Sequence, residues 1–245
     1  MIKGASLFAG NVLMPENLAA SPISRVTRSK AEARANYNRL SRWYDALAGS
    51  SEKKYRQLGL QALAVQPGES VLEIGYGTGQ ALLALAQAVG LTGKVTGIDL
   101  SDGMCAQAQR CLTAAGLAGR VELLVGDAAQ LPWEFASFDA VFMSFTLELF
   151  DTPEIPQVLQ ECLRVLRPGG RLALVTMAKS ENPALAERIY EWFHARMPAA
   201  VDCRPIFAQA ALRQAGFEVR RAQALRMWGL PVEIVLAGAP ARGES

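Results

Sequence analysis

The chain has 245 residues, 51% of them hydrophobic, enough to bury a full core and too apolar for extended disorder. A net charge of +2 is too small to demand a nucleic-acid partner, and no apolar run approaches the ~20 residues that a bilayer span needs. The four cysteines, Cys105, Cys111, Cys162 and Cys203, have neither metal-ligand nor disulfide-framework spacing, so the expectation is reduced, mostly packed thiols in a cytoplasmic protein with no metal.

Residues 1–28 lack clear periodicity and contain Pro15 and Pro22, which predicts a flexible arm. Ala5 to Met14 is weakly apolar but broken by Gly10 and Asn11, a poor signal peptide. A helical pattern runs from Ser29 to Leu47, with Tyr37, Leu40, Tyr44 and Leu47 on one face and Trp43 beside them. Around it Arg25, Arg28, Lys30, Arg34, Arg39 and Arg42 face only Glu32. Two readings stand: a solvated helix packed on the domain, or a lid that also touches an anionic or membrane-bound substrate. A second helix, about Glu52 to Ala64, ends before Pro67-Gly68.

Strands and helices then alternate. Val71–Ile74 is strand one, Gly79 to Val89 helix one, Val95–Ile98 strand two ending in Asp99, and Asp102 to Ala115 a helix with Ser101 as N-cap. Strand three is Val121–Val125 and strand four Ala140–Ser144. A helix from about Pro156 to Leu166 is expected to stop at Pro168-Gly169-Gly170, before strand five, Leu172–Thr176. Helices at Pro183–Arg196 and Ile206–Gln214 follow, and Phe217–Leu225 with Val232–Leu236 form a closing hairpin edge. The pattern predicts an α/β, Rossmann-like, doubly wound and mostly parallel seven-stranded sheet with an antiparallel C-terminal hairpin. One domain is expected over residues 29–245: a helical lid (29–66), a core (67–177) and acceptor-side helices with closing strands (178–245).

Strand one runs into Gly75-Tyr76-Gly77-Thr78-Gly79, with an acid, Glu73, inside the strand end. Glycine tolerates positive φ and lets a ligand approach the bare backbone. A dinucleotide fingerprint places its third glycine three residues after the second, where this chain has Gln80, which counts against an NAD-linked oxidoreductase. Asp99 closes strand two, where an acid accepts ribose hydroxyls, and Asp127-Ala128 follows strand three, where both could flank an adenine. Each acid alone is equally readable as a cap or loop residue. Three at successive strand ends form one candidate site.

These segments, with Leu100-Ser101, Met104, Leu131-Pro132-Trp133, Phe138-Asp139-Ala140-Val141 and Leu163-Arg164-Val165-Leu166-Arg167-Pro168-Gly169-Gly170, occur in family order. Over about residues 37–177 the chain resembles the class I S-adenosyl-L-methionine (SAM) methyltransferases, and within them the ubiquinone and menaquinone biosynthesis C-methyltransferases. The resemblance implies SAM as cofactor and S-adenosyl-L-homocysteine as product. It implies cofactor contacts from Tyr44, Glu73, Gly75, Tyr76, Gly77, Thr78, Gly79, Asp99, Leu100, Met104, Asp127, Ala128, Ser144 and Phe145. Tyr37, Trp43, Thr146 and Trp192 are the candidate acceptor pocket, with Trp133 as a further aromatic. His194 and Glu148 are the candidate bases; a packed or surface histidine and a structural glutamate are the alternatives. Tyr76 and the segment after strand five depart from the family pattern, and the second departure leaves the acceptor open.

The expected acceptor is a small molecule, aromatic or isoprenoid-linked, with C-methylation of a quinol the leading case. A phospholipid amine N-methyltransferase and a non-catalytic SAM-binding module are the alternatives. The signatures of nucleic-acid methylation after strand four are absent, so no nucleic acid is expected. Peripheral membrane contact through the basic helix, and a monomer or homodimer, complete the expectation.

Overall fold

The computed structural model describes residues 23, 25–26, 29–40, 50–180, 183–196 and 203–241, apart from the side chains of 40, 50, 185, 186, 191 and 193–195. In chain order the main elements are α1 (Lys30–Leu40), α2 (Ser50–Leu63), β1 (Ser70–Ile74), α3 (Gln80–Ala88), β2 (Lys94–Asp99), α4 (Asp102–Ala114) and β3 (Val121–Val125). They continue with β4 (Phe138–Ser144), α5 (Ile155–Val165), β5 (Leu166–Met177), α6 (Leu185–Arg196), α7 (Ala208–Gln214), β6 (Glu218–Met227) and β7 (Leu230–Gly238).

The seven strands lie in the order β3-β2-β1-β4-β5-β7-β6. β1 to β5 pair in parallel, whereas β7 runs antiparallel to both β5 and β6. Parallel strands need covered faces, and the alternation of side chains supplies two apolar layers. Leu72, Ile74, Val141 and Met143 point into one layer with α5 and α7; Val71, Ala140, Phe142 and Val175 point into the other with α2, α3 and α4. α2 sits close on its layer because Gly59 has no side chain: a Cβ there would collide with Val175 and come within 3.1 Å of Phe142.

The Ser101 cap is present: its Oγ accepts the Met104 N–H at 3.1 Å. The same hydroxyl donates to Asn38 of α1 at 2.6 Å, so one serine caps α4 and ties α1 to it. Ser101→Ala should cost roughly 1–2 kcal/mol of stability, read by urea unfolding; a change near zero would show that the cap is redundant.

Two local expectations are corrected. Pro168-Gly169-Gly170 does not stop a helix: α5 already ends at Val165, and these residues lie inside β5. They form an irregularity in which the pair Phe138↔Leu166 is followed by Ala140↔Arg171, with Gly169 at φ 75°. The closing hairpin also extends further than its apolar pattern. Met227 pairs with Leu230 across a two-residue turn in which Trp228 and Gly229 both have positive φ, which matches the twist of the flanking strands.

Candidate active site

Chain order along the sheet reverses at β1 and β4, and a ligand in an open parallel sheet binds beyond the strand ends at such a switch point. A cavity of about 170 Å³ lies there. Its walls include the glycine turn after β1, the ends of β2 and β3, the segment after β4, and residues of α1 and α2.

The glycines divide the work. Gly75 has φ 73°, and a Cβ there would coincide with the Thr146 side chain, so the turn presses directly on the segment after β4. Gly77 has φ 51°, and a Cβ there would meet nothing within 4 Å. Its bare backbone faces open space. Gly79 is not in the cavity wall; a Cβ there would lie 3.0 Å from the Ala108 backbone, so it lets α3 pack on α4.

The acids take up distinct positions. Asp99 accepts the Gly77 N–H through Oδ2 and the Ser101 N–H through Oδ1, each at 2.9 Å. Enclosure by protein raises its carboxyl above the usual range, against these backbone donors. A carboxylate offers about four acceptor sites, so lone pairs remain for a ligand hydroxyl. Glu73 is buried in the wall, and its Oε2 has no hydrogen-bond partner. Burial drives the Glu73 carboxyl well above its normal range and the Asp99 charge adds to this, while Arg56 opposes it. A cationic ligand group would satisfy both the orphaned oxygen and the charge.

Asp127 accepts the Ala129 N–H at 3.0 Å, and its Oδ2 is held by Lys30 at 2.5 Å. Lys30 also reaches Glu154 at 2.6 Å. Partial burial works against its ammonium, but the two carboxylates raise its pKa. Arg25 binds Asp151 at 2.6 Å and Arg34 binds Asp102 at 2.5 Å. Three basic side chains of the N-terminal segment are thus spent on acids of the core, and they seat α1 over the cavity.

Phe145, at the end of β4, is buried and has φ 53°, a strained conformation for a non-glycine residue that its packing and the hydrogen bond to Val175 at 2.8 Å enforce. Tyr37, Leu149 and Phe150 extend this apolar wall.

Residues 71–170 match the family model described as a methyltransferase domain. A ubiquinone/menaquinone biosynthesis C-methyltransferase of Ectopseudomonas mendocina (strain ymp) is 33% identical over 187 residues, 76% of this chain and 70% of that protein. The chain belongs to the class I SAM-dependent methyltransferases. A demethylmenaquinone methyltransferase of Desulfitobacterium hafniense (strain Y51) is 31% identical over 166 residues, 66% of this chain and 65% of that one. A SAM-dependent methyltransferase structure from Aquifex aeolicus superposes with a TM-score of 0.57 at 26% identity, covering 75% of this chain and 89% of the other.

Of the residues expected to surround SAM and its acceptor, this methyltransferase brings Tyr37, Glu73, Gly75, Tyr76, Gly77, Thr78, Asp99, Leu100, Met104, Asp127, Ala128, Ser144, Phe145 and Thr146 into one cavity wall. Glu148 is not among them. It is fully buried beneath the segment after β4, where Oε1 accepts the Met177 N–H at 3.1 Å. Trp192 is half exposed on α6 and carries the Arg196 guanidinium 4.4 Å above its ring, away from the cavity wall. Trp133 packs edge-on against Phe138, also outside it. Trp43, Tyr44 and the His194 side chain lie outside the described residues.

The methyltransferase cavity also uses residues that local pattern did not assign to it: Arg56 and Glu52 of α2, and Asp151 and Glu154, together with Lys30 and Gln80. The excess of Arg and Lys around α1 was the available signal, but its carboxylate partners are about 70 to 130 positions away in sequence. Among the described residues no helix is long and apolar enough to cross a membrane.

Proposed function

We propose that this methyltransferase places a methyl group on a ring carbon of a small quinol-type, isoprenoid-linked acceptor. The single observation that carries this reading is the mixed wall of one cavity. Glu73, Asp99 and Asp127, at the tips of β1 to β3, share it with the largely apolar side chains of Tyr37, Phe145, Leu149 and Phe150. The acids suit a cationic sulfonium nucleoside, the apolar lining an aromatic ring with a hydrocarbon tail. The names of the quinone-pathway relatives point to the same acceptor class.

SAM supplies a methyl group on a sulfonium, already a good leaving group. The chain's work is therefore positioning and exclusion of water. In this reading Gly75, Gly77 and Thr78 receive the methionine part, Asp99 the ribose hydroxyls, and Asp127 with Ala128 the adenine. The α1 lid, held by Lys30, Arg25 and Arg34, covers the site. Those ion pairs also account for three of the six basic residues that had suggested an anionic phospholipid.

The test is incubation with methyl-labelled SAM and either a demethylated quinol or phosphatidylethanolamine vesicles. Label on the quinol ring is expected. Label on the lipid amine alone would establish N-methylation instead, and tight S-adenosylhomocysteine binding without transfer to any acceptor would favour a non-catalytic role. Asp99→Ala should weaken S-adenosylhomocysteine binding by roughly 1–3 kcal/mol in calorimetric titration, because buried partners lose their acceptor. Unchanged affinity would remove Asp99 from the site.

A further inference from the structure

The hairpin of β6 and β7 turns on an ill-suited residue. Met227 pairs with Leu230, and the two residues between them, Trp228 and Gly229, have φ 50° and 83°. A two-residue turn with both central φ positive favours Asn-Gly, and a bulky aromatic in that region is strained. Trp228 is nonetheless 75% exposed, so no packing within the chain offsets the conformation. Strain without a folding reason points to a binding role.

The turn adjoins the cavity through α2. The Tyr55 hydroxyl donates to the Arg226 carbonyl at 2.6 Å, which joins the start of α2 to the strand that leads into the turn. Glu52 and Arg56, one helical turn apart, line the cavity, while Lys53 and Lys54 between them are exposed. The Lys54 ammonium lies 5.9 Å from the centre of the Tyr55 ring. Arg226, also exposed, donates to the Gly229 carbonyl at 2.8 Å and so stands beside Trp228. Residues 50–56 and 226–231 thus carry four basic side chains, Lys53, Lys54, Arg56 and Arg226, and one acid, Glu52. Among the described residues Lys53, Lys54 and Arg226 form no ion pair, unlike Arg25, Lys30 and Arg34.

We propose that Trp228, Lys53, Lys54 and Arg226 form a docking surface for an anionic lipid bilayer at the border of the cavity. The inference rests on the reading of an isoprenoid-linked acceptor, which a bilayer would hold, and names the surface that brings the cavity to it. A tryptophan side chain joins a large apolar ring system to one N–H and settles at the level of lipid headgroups. Lysine and arginine beside it are drawn to anionic headgroups. The same charge disfavours a second copy of this chain as the occupant, because two such surfaces would repel each other.

The test is co-sedimentation with phosphatidylcholine vesicles, with and without phosphatidylglycerol. The proteins are wild type, Trp228→Asn, the double variant Lys53→Gln, Lys54→Gln, and Lys94→Gln at the opposite end of the sheet, where β2 begins. Wild type should sediment with the anionic vesicles, and less so at high salt. Trp228→Asn should lower the partition coefficient about tenfold, yet resist urea at least as well as wild type, because Asn suits the turn. The double lysine variant should lose roughly 10–30-fold, and Lys94→Gln should bind as wild type does. Equal binding to both vesicle types, no binding, or unchanged binding by the Trp228 and lysine variants would overturn the proposal. So would a loss of stability in Trp228→Asn, or its conversion of a dimer to a monomer in light scattering. Methyl transfer to a short-tailed, water-soluble quinol separates this inference from the acceptor reading. Transfer without vesicle binding would overturn the docking surface alone; vesicle binding without transfer would support the surface and remove the quinol.

Discussion

Gly75→Ala is expected to destabilise the protein by about 3 kcal/mol and to abolish methyl transfer. Two costs combine. Gly75 has φ 73°, where an alanine pays roughly 1–2 kcal/mol for its Cβ. That Cβ would also occupy the space of the Thr146 side chain, an overpacking cost of typically 1–3 kcal/mol. Thr146 has little room to retreat, because Phe145 beside it is held to Val175 and the following turn is anchored by Glu148. Relief of the clash would therefore shift the cavity wall formed by Gly75, Phe145 and Thr146. Urea unfolding and S-adenosylhomocysteine titration read the two effects, and the double variant Gly75→Ala, Thr146→Ala should recover part of the stability. Wild-type stability in Gly75→Ala would show that the turn is looser than its geometry.

The second large effect is a pH dependence centred on Glu148. Burial pushes its carboxyl from the ordinary 4.5 up to about 7, against the backbone donors of Glu148 and Met177 and the Thr176 side chain, with the Glu52 charge adding to the rise. Below about pH 4.5 the native and unfolded chains both hold this proton. Between 4.5 and 7 the unfolded chain releases it and the native protein keeps it, so the contribution to stability falls as pH rises through that window and levels off above it. The full span corresponds to about 3 kcal/mol. Glu148→Gln keeps the size and an acceptor for the Met177 N–H but cannot ionise. Between pH 4.5 and 8 the wild type should lose about 3 kcal/mol relative to the variant in urea unfolding. Parallel pH profiles for the two proteins would mean that Glu148 is ionised in the fold.

Glu148 has a further structural consequence. Beneath the same segment Arg204, also fully buried, donates to the Thr152 hydroxyl at 3.0 Å and to the Phe150 carbonyl. The stretch from Phe145 to Thr152 is thereby tied to later parts of the chain at Phe145, Glu148 and Thr152, through Val175, Met177 and Arg204. This part of the cavity wall is a loop in sequence but is held from below like part of the core.

Features set by neighbours along the chain were legible without coordinates. The sequence by itself determined the strand-turn-helix unit at Val71 to Val89, because apolar runs, closely spaced glycines and an alanine-leucine helix act within a few residues. The acids Glu73, Asp99 and Asp127 were legible for a related reason: parallel strands all present the same end, so a residue closing each strand must reach the same crevice. The N-cap role of Ser101 and the family kinship are likewise written locally.

Only the tertiary structure decided what depends on partners distant in sequence. Nothing near Lys30 announces Asp127, 97 positions away, and nothing near Arg25 announces Asp151, 126 away. From the sequence the basic face of α1 read as a solvated helix packed on the domain or as a lid that also touches an anionic or membrane-bound substrate; the structure adds that Arg25, Lys30 and Arg34 pair with acids of the core. Glu148 looked available to an acceptor because it follows a strand end, yet the short helical turn Leu147–Leu149 takes its side chain inward to Met177. Gly79 looked like a ligand contact and is a helix-packing contact, since the position of Ala108 depends on how α4 docks. Arg56 lay in an unremarkable helix until packing of that helix on β4 and β5 carried it to the cavity. Local chemistry specifies a strand end, a turn or a cap; which charges meet across the crevice is set by the packing of elements far apart in the chain.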